Sequence, residues 1–199
     1  MTVIGAGLAG TEAAWQLAAR GIPVRLMEMR PTVSSPAHHT PEFAELVCSN
    51  SFKGDDPSTA TGLLKRELEG LGSIILAAAR ATAVPAGAAL AVDRSAFATL
   101  LTDTITRHPL ITIVREEVIE LPAGDVIIAT GPLTSEGFQD ALSALVGDGR
   151  LAFFDAAAPI VDASTIEMER VFPASRWKKG GRANYLHVPL CRARYDRRV

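Results

Sequence analysis

The sequence is short of cysteine and of uninterrupted apolar runs, and each shortage excludes a class of protein. Two cysteines in 199 residues cannot form a disulfide framework, which indicates a reducing compartment. No basic segment precedes an apolar run at the N-terminus, so no signal peptide is predicted. Arg80, Pro85 and Gly87 interrupt the apolar residues 73–92, and no membrane segment is predicted there. We therefore expect a cytoplasmic protein that has no membrane partner.

The sequence also lacks the residue spacings of a metal centre and of a hydrolytic triad. His38 and His39 have no Cys, Asp or Glu at metal-ligand spacing, so we expect them to pack or hydrogen-bond within their loop, and no metal is predicted. No P-loop and no Ser-His-Asp arrangement is recognisable. Hydrophobic residues make up 48% of the chain and charged residues 21%, which excludes a disordered chain and is typical of a packed globular protein.

The charges are distributed unevenly, although the formal net charge is only −2. Eight of the 20 basic residues but one of the 22 acidic residues fall in the segment 176–199, which also contains Trp177, Tyr185 and Tyr195. Such a segment can bind nucleic acid, because basic groups neutralise phosphates and aromatic rings stack on bases. A solvated chain end has the same composition, and composition alone does not separate the two interpretations.

Residues 2–14 carry the motif around which the chain is organised. A short β-branched run leads into Gly5, Gly7 and Gly10 at the spacing Gly-x-Gly-x-x-Gly, and an Ala-rich helical segment follows. In this motif the first glycine permits a tight turn, the second permits close approach of a pyrophosphate, and the third permits close packing of the helix. The phosphates would lie at the helix N-terminus, where unpaired N–H groups and the helix dipole stabilise an anion.

Two further strand ends fit a dinucleotide. The second predicted strand ends at Glu28, eighteen residues after Gly10, near the spacing of about 20 expected for an acid that binds a ribose hydroxyl. A solvated strand end is the alternative interpretation of Glu28. A later strand stops at Ala129-Thr130-Gly131, whose small residues suit a second close approach to the dinucleotide or, alternatively, a simple turn. The fold class predicted from this order is α/β and Rossmann-like.

The rest of the chain alternates helices and strands. Leucines 63, 64, 68 and 71 are predicted to form the buried face of one helix, and Asp93 or Ser95 to cap another. Strands 110–114 and 117–121 are predicted to form a small antiparallel layer within an inserted α+β region. The helices are predicted over residues 59–71, 74–81, 96–106 and 135–146, and further strands over 88–92, 125–131, 151–155 and 159–162.

Cys48 is the residue with the most reactive side chain in an otherwise polar loop, residues 29–57. A free cysteine is often a small buried hydrophobic residue. In a loop that follows a nucleotide-binding unit, its thiolate could instead face a bound ring and attack an electron-poor carbon. Cys191 lies in the basic segment and is treated as incidental.

Several segments together resemble the TrmFO family, the bacterial folate- and FAD-dependent tRNA (uracil-C5) methyltransferases. The most specific of them are Leu-Val-Cys-Ser-Asn-Ser at 46–51 and Phe-Phe-Asp-Ala-Ala-Ala-Pro at 153–159. The resemblance extends from the first residue to about Tyr195. It is carried by residues 3–14, 28–31, 43–51, 62–65, 89–94 and 153–161.

The resemblance implies a GR2-type FAD-binding fold, with the flavin near the loop of Cys48. It implies that methylenetetrahydrofolate supplies one carbon, that NAD(P)H supplies reducing equivalents, and that C5 of a T-loop uridine in tRNA is methylated. Cys48 would be catalytic, either attacking C6 of the base or shielding the flavin, and the sequence does not choose between these roles. The FAD-binding residues implied are Gly5, Ala6, Gly7, Leu8, Ala9, Gly10, Glu28, Arg30, Ala129, Thr130 and Gly131.

The sequence departs from that family in length. Its members continue into a second active-site cysteine and the C-terminal half of the FAD-binding domain, and Cys191 does not take that cysteine's place. We expect residues 1–150 to form the N-terminal part of an FAD-binding domain and residues 151–199 to begin a second, truncated domain that faces tRNA. Two alternatives remain open: a related flavin-dependent tRNA wobble-uridine modification protein, and an inactive FAD- or RNA-binding fragment.

Overall fold

The computed structural model describes residues 1–147, 161–174, 185–189 and 191–192. The predicted strand 151–155, half of the predicted strand 159–162 and most of the basic segment lie outside these residues. The α-helices are α1 (Leu8–Ala19), α2 (Ala60–Gly70), α3 (Ile74–Ala81), α4 (Arg94–Thr106) and α5 (Glu136–Val146). The strands are β1 (Thr2–Ile4), β2 (Val24–Met27), β3 (Ser51–Gly54), β4 (Ala83–Val84), β5 (Ala89–Val92), β6 (Ile111–Val114), β7 (Val126–Ile128), β8 (Phe172–Ala174) and β9 (Tyr185–His187).

The central sheet has four parallel strands in the order β6-β2-β1-β7. Helix α1 connects β1 to β2, as the glycine motif predicts, and the expected Rossmann-like α/β fold is confirmed. The predicted antiparallel layer is wrong. Strand β6 pairs in parallel with β2, from Val24 opposite Ile111 to Met27 opposite Val114. Residues 115–125 contain no strand, because Val118 and Leu121 pack beside β1 and α5 without forming a ladder.

The inserted α+β region lies between β2 and β6. It contains the antiparallel sheet β3-β5-β4 and the helices α2, α3 and α4. Each of these helices has a side-chain N-cap: Thr59 accepts from Gly62 N, Ser73 from Leu76 N, and Asp93 from Ala96 N. The sequence left Asp93 and Ser95 as alternative caps of α4, and the structure shows that Asp93 is the cap.

Helix α2 is oriented differently from its predicted amphipathic pattern. Leu63, Leu64 and Leu71 are 51%, 55% and 63% exposed, whereas Lys65 is only 5% exposed. Of the four leucines Leu68 alone packs against the core, so most of the predicted face is not buried. The reason is the close approach of the preceding chain at Gly62, where a Cβ would lie 1.9 Å from the carbonyl oxygen of Asp56. Lys65 lies one turn later on that side, and its Nζ donates to the carbonyl oxygen of Gly54 at 2.8 Å.

The main core lies between the parallel sheet and helices α1, α3 and α4. Phe97, Leu101 and Ile105 on α4 are fully buried there beside Leu26 of β2. A smaller apolar cluster on the other side of the sheet joins Ile4 to Phe138 and Leu142 of α5. The two clusters hold the carboxyl ends of β1, β2 and β7 in place, which is where ligands bind in open α/β sheets.

Candidate functional site

A cleft opens at the carboxyl ends of β1, β2 and β7. Six of the residues predicted to bind a cofactor line it: Gly5, Gly7, Glu28, Arg30, Ala129 and Thr130. The other lining residues are Ile4, Met27, Met29, His38, Glu116, Glu117, Val118, Leu133, Thr134, Ser135 and Phe138. Predicted residues that lie outside this lining are Ala6, Leu8, Ala9, Gly10 and Gly131.

The three glycines of the motif have different surroundings. Gly5 has φ +92°, and a Cβ there would lie 2.8 Å from the carbonyl oxygen of Ala129. Gly10 approaches the turn closely, since its Cβ would lie 1.8 Å from the carbonyl oxygen of Gly5. A Cβ on Gly7 would meet nothing within 4 Å in the described chain. The turn and packing roles of Gly5 and Gly10 are confirmed, and Gly7 faces space that a ligand can occupy.

The N-terminus of α1 is available to an anion. Gly7 is its N-cap, and no side chain of the described residues caps it. The first turn contains no acidic residue. The N–H groups of Leu8 and Ala9 at the exposed start of the helix have no acceptor within the helix, and the helix dipole adds positive potential. A phosphate group fits this geometry without a basic side chain.

Glu28 lies at the bottom of the cleft and is only 5% exposed, so its interpretation as a solvated strand end is wrong. Its Oε2 accepts from the N–H of Ala6 at 2.8 Å, and its Oε1 accepts from the backbone N–H and the Nε of Arg30. Burial raises the pKa of Glu28, but the hydrogen bonds and charge of Arg30 outweigh burial and lower it below 4.5. Because an ionised carboxylate accepts about four hydrogen bonds, Oε2 retains room for one ribose hydroxyl.

Arg30 joins the cleft to the following loop. It is 2% exposed, and its guanidinium forms ion pairs with Glu28 at 2.9 Å and Glu45 at 3.0 Å. Its carbonyl oxygen accepts from Arg115, whose guanidinium lies 4.2 Å from the centre of the Phe43 ring. Arg30 therefore lines the cleft while its charge is compensated by protein carboxylates.

Glu45 fixes the outer part of the same loop. Its carboxylate accepts from the backbone N–H groups of His39 and Thr40 and from the Thr40 hydroxyl. Burial raises the pKa of Glu45, but these hydrogen bonds outweigh it and lower the pKa below its ordinary value. Glu28 and Glu45 thus share Arg30 and are not arranged as a catalytic carboxylate pair.

The two depressed pKa values predict loss of stability in acid. Both carboxylates have a lower pKa in the folded chain than in the unfolded chain, so their contribution is complete above about pH 4.5 and is lost as pH falls through the folded values. We expect the free energy of unfolding, measured by urea titration, to decrease steeply below about pH 4.5. Glu45→Gln flattens this decrease, whereas Glu67→Gln on the exposed side of α2 leaves it unchanged. Equal pH profiles for both variants would contradict this assignment.

Cys48 lies outside the cleft lining and is exposed, so the interpretation of a small buried residue is wrong. Its carbonyl oxygen accepts from Arg94 at 3.4 Å, and Asn50, two residues later, forms two hydrogen bonds with Val92. A second groove runs between residues 36–47 and the start of α4, beside the Cys48 turn. The thiol is accessible to a reactant, and its catalytic role stays a prediction.

The sequence did not indicate the part of the cleft beyond β6. Glu116, Glu117 and Val118 line it because they follow the carboxyl end of a parallel strand. Recognising residues 110–114 as a parallel strand would have indicated these three residues.

Among the described residues no group of three or more His, Cys, Asp or Glu could hold a metal ion. None of the helices that the structure describes is long and apolar enough to span a membrane.

Comparison with known proteins gives one family and many close relatives. The family model for glucose inhibited division protein A matches residues 1–198. The methylenetetrahydrofolate–tRNA-(uracil-5-)-methyltransferase TrmFO of Bacillus subtilis is 53% identical over 99% of this chain and 45% of its own length. The TrmFO proteins of Anoxybacillus flavithermus and Pelobacter propionicus are 54% and 57% identical. The chain thus spans a little under half the length of these relatives.

A solved structure shows the same fold at lower identity. Aquifex aeolicus GidA superposes with a TM-score of 0.51 and 18% identity, over 66% of this chain and 24% of that chain. This likeness concerns the Rossmann-type fold alone.

Proposed function

Since this chain belongs to the family of glucose inhibited division protein A, we propose that it forms the N-terminal, FAD-binding part of a folate-dependent tRNA (uracil-5-)-methyltransferase. The identity of 53–57% to TrmFO proteins over nearly the whole chain supports this choice within the family. The observation that carries it in the structure is the open space at Gly7, beside the uncapped start of α1 and the carboxylate of Glu28.

The adenosine diphosphate part of FAD is the proposed occupant of the cleft. The diphosphate would lie at Gly7, where the helix N-terminus stabilises its charge. A ribose hydroxyl would donate to Glu28, whose depressed pKa keeps the acceptor ionised at neutral pH. Ala129 and Thr130 allow the ligand to approach the backbone after β7. The carboxylates of Glu116 and Glu117 supply acceptors further along the cleft.

FAD, when bound, supplies the redox-active ring through which a carbon from methylenetetrahydrofolate and reducing equivalents from NAD(P)H reach uridine C5. Cys48 is the proposed catalytic residue of this chain, because its side chain is exposed on a turn that is held by hydrogen bonds from Asn50 to Val92 and from Arg94. It would attack C6 of the base or shield the flavin. The proposed substrate is a uridine in the T-arm of tRNA, and the proposed location is the cytoplasm.

Flavin binding by a Gly7→Val variant tests the proposed site. Gly7 has ordinary φ and open surroundings, so valine is compatible with the fold but occupies the space of the diphosphate. We expect the dissociation constant for FAD to rise on the order of 100-fold, about 2.7 kcal/mol. Gly70→Val is the matched control, because Gly70 also has nothing within 4 Å but lies at the end of α2.

The measurement is flavin absorbance and fluorescence after gel filtration with added FAD. The proposal predicts that wild type and Gly70→Val retain flavin and that Gly7→Val does not. A colourless wild-type chain, or equal retention by all three proteins, would overturn it. Methyl incorporation into tRNA with wild type and Cys48→Ala then separates a complete catalytic unit from a chain that only binds FAD.

A further inference from the structure

Among the described residues that line the cleft, Arg30 and His38 are the two with basic side chains. The guanidinium of Arg30 already donates to Glu28 and Glu45. Because Arg30 is also only 2% exposed, a negatively charged ligand has little access to its guanidinium. The imidazole of His38 is half-buried and lines the same cleft as Gly7 and Glu28.

One nitrogen of the His38 ring is already fixed. Nδ1 lies 2.7 Å from the hydroxyl oxygen of Ser35, and either atom can be the donor. Its bond to Ser35 is the one side-chain hydrogen bond of the ring to a described residue, and it leaves Nε2 available to a ligand. When the Ser35 hydroxyl donates to Nδ1, the neutral ring carries its proton on Nε2 and becomes a donor. That tautomer is the one that a phosphate oxygen selects.

We propose that His38 binds the diphosphate of the dinucleotide through Nε2, as a side-chain donor that complements the backbone donors of α1. The inference rests on the proposed function, since FAD is the ligand. The diphosphate would then be held between the start of α1 at Gly7 and the loop that carries His38. Ser35 acts as a positioning residue, because it holds Nδ1 and so orients the ring.

The charges around His38 give the proposal a pH dependence. Burial lowers the pKa of His38, the charge of Arg30 lowers it further, and Glu45 and Glu28 oppose this. The charge of the neighbouring His39 makes the smallest contribution and also lowers this pKa, and the carboxylates at 116 and 117 line the same cleft. A bound diphosphate adds negative charge and raises the pKa of the ring in the complex. Affinity for FAD therefore increases as pH falls from about 8 to about 6, with proton uptake on binding.

The test compares FAD binding by wild type, His38→Gln and His39→Gln. His39 is the matched control, since it is adjacent in sequence but exposed and lines the other groove. We expect His38→Gln to weaken FAD binding about tenfold at pH 6 and to remove most of the pH dependence. His39→Gln retains both the affinity and the pH profile. Ser35→Ala loses a smaller part of the affinity.

A second measurement does not depend on any variant. Proton NMR titration of the wild-type chain follows the His38 ring with and without FAD, and the proposal expects a higher titration midpoint in the complex. The inference would be overturned if wild type binds FAD and His38→Gln binds it equally well at every pH. It would also be overturned if FAD leaves the titration midpoint of the His38 ring unchanged. Either result leaves the proposed function intact. Wild type that fails to bind FAD would overturn both.

Discussion

Replacing Glu28 by alanine lowers the free energy of unfolding by about 3 to 5 kcal/mol. The cause is the group that remains behind: Arg30 is 2% exposed and loses one of its two carboxylate partners. The buried N–H of Ala6 loses its acceptor at the same time. Removing one partner of a buried ion pair is more costly than the pair is stabilising, because the other charge stays desolvated.

Urea denaturation without FAD measures this change, so that the ribose contact does not contribute. Glu28→Gln keeps one acceptor oxygen but loses the charge and the second acceptor, so it should retain at most roughly half of the lost stability. In the double variant Glu28→Ala with Arg30→Met the losses should not add, since the charge that was left unpaired has gone. Glu67→Ala on exposed α2 is the control. A loss below about 1 kcal/mol for Glu28→Ala would show that Arg30 reaches solvent or another acceptor.

The local part of the fold could be predicted from sequence. The order from β1 through α1 to β2 depends on contacts between residues close in the chain, and the glycines mark its turn and its helix start. The partner of β6 could not be predicted in the same way. Val24 pairs with Ile111 across the whole inserted region, and a short apolar run at 110–114 is compatible with either sheet.

Helix α2 shows a second limit of periodicity. The pattern of leucines correctly predicted a helix, but it did not identify the element that the helix packs against. Gly62 permits the chain at Asp56 to approach so closely that its side of the helix is buried, with Lys65 donating to backbone oxygen. Leu63 consequently lies on the exposed side. A periodic pattern fixes the faces of a helix, whereas tertiary contacts decide which face is buried.

Gly5, Gly7, Glu28 and Arg30, which the sequence predicts as cofactor-binding residues, line the cleft, but the sequence did not indicate the contacts that the loop makes there. Glu28 was placed correctly at the cleft by its distance from the glycines. Its ion-paired neighbour Arg30 and the second carboxylate of Glu45 meet only because residues 30–45 fold back over the carboxyl end of the sheet. His38 enters the cleft through the same loop. Such contacts have no fixed spacing in sequence.

Gly10→Ala is expected to have the largest effect among the glycine variants of the motif. Its Cβ would lie 1.8 Å from the carbonyl oxygen of Gly5, which belongs to the backbone of the turn and cannot rotate away. Either α1 or the turn must move. Overpacking against flexible side chains costs about 1 to 3 kcal/mol, so we expect about 3 kcal/mol or more here. For a chain of this size that corresponds to a fall in Tm of roughly 6 to 12 °C.

Differential scanning calorimetry of Gly10→Ala against Gly70→Ala separates this steric effect from helix propensity. A Cβ on Gly70 meets nothing within 4 Å, so alanine there should raise stability by about 0.5 kcal/mol. Alanine at Gly10 is expected to lower stability instead, because its Cβ overlaps the backbone of the turn. Because movement of α1 also displaces the N–H groups at Leu8 and Ala9, Gly10→Ala should lose FAD binding together with stability, whereas Gly7→Val loses binding alone. A Gly10→Ala protein with unchanged Tm and normal flavin retention would contradict the close contact between α1 and the turn.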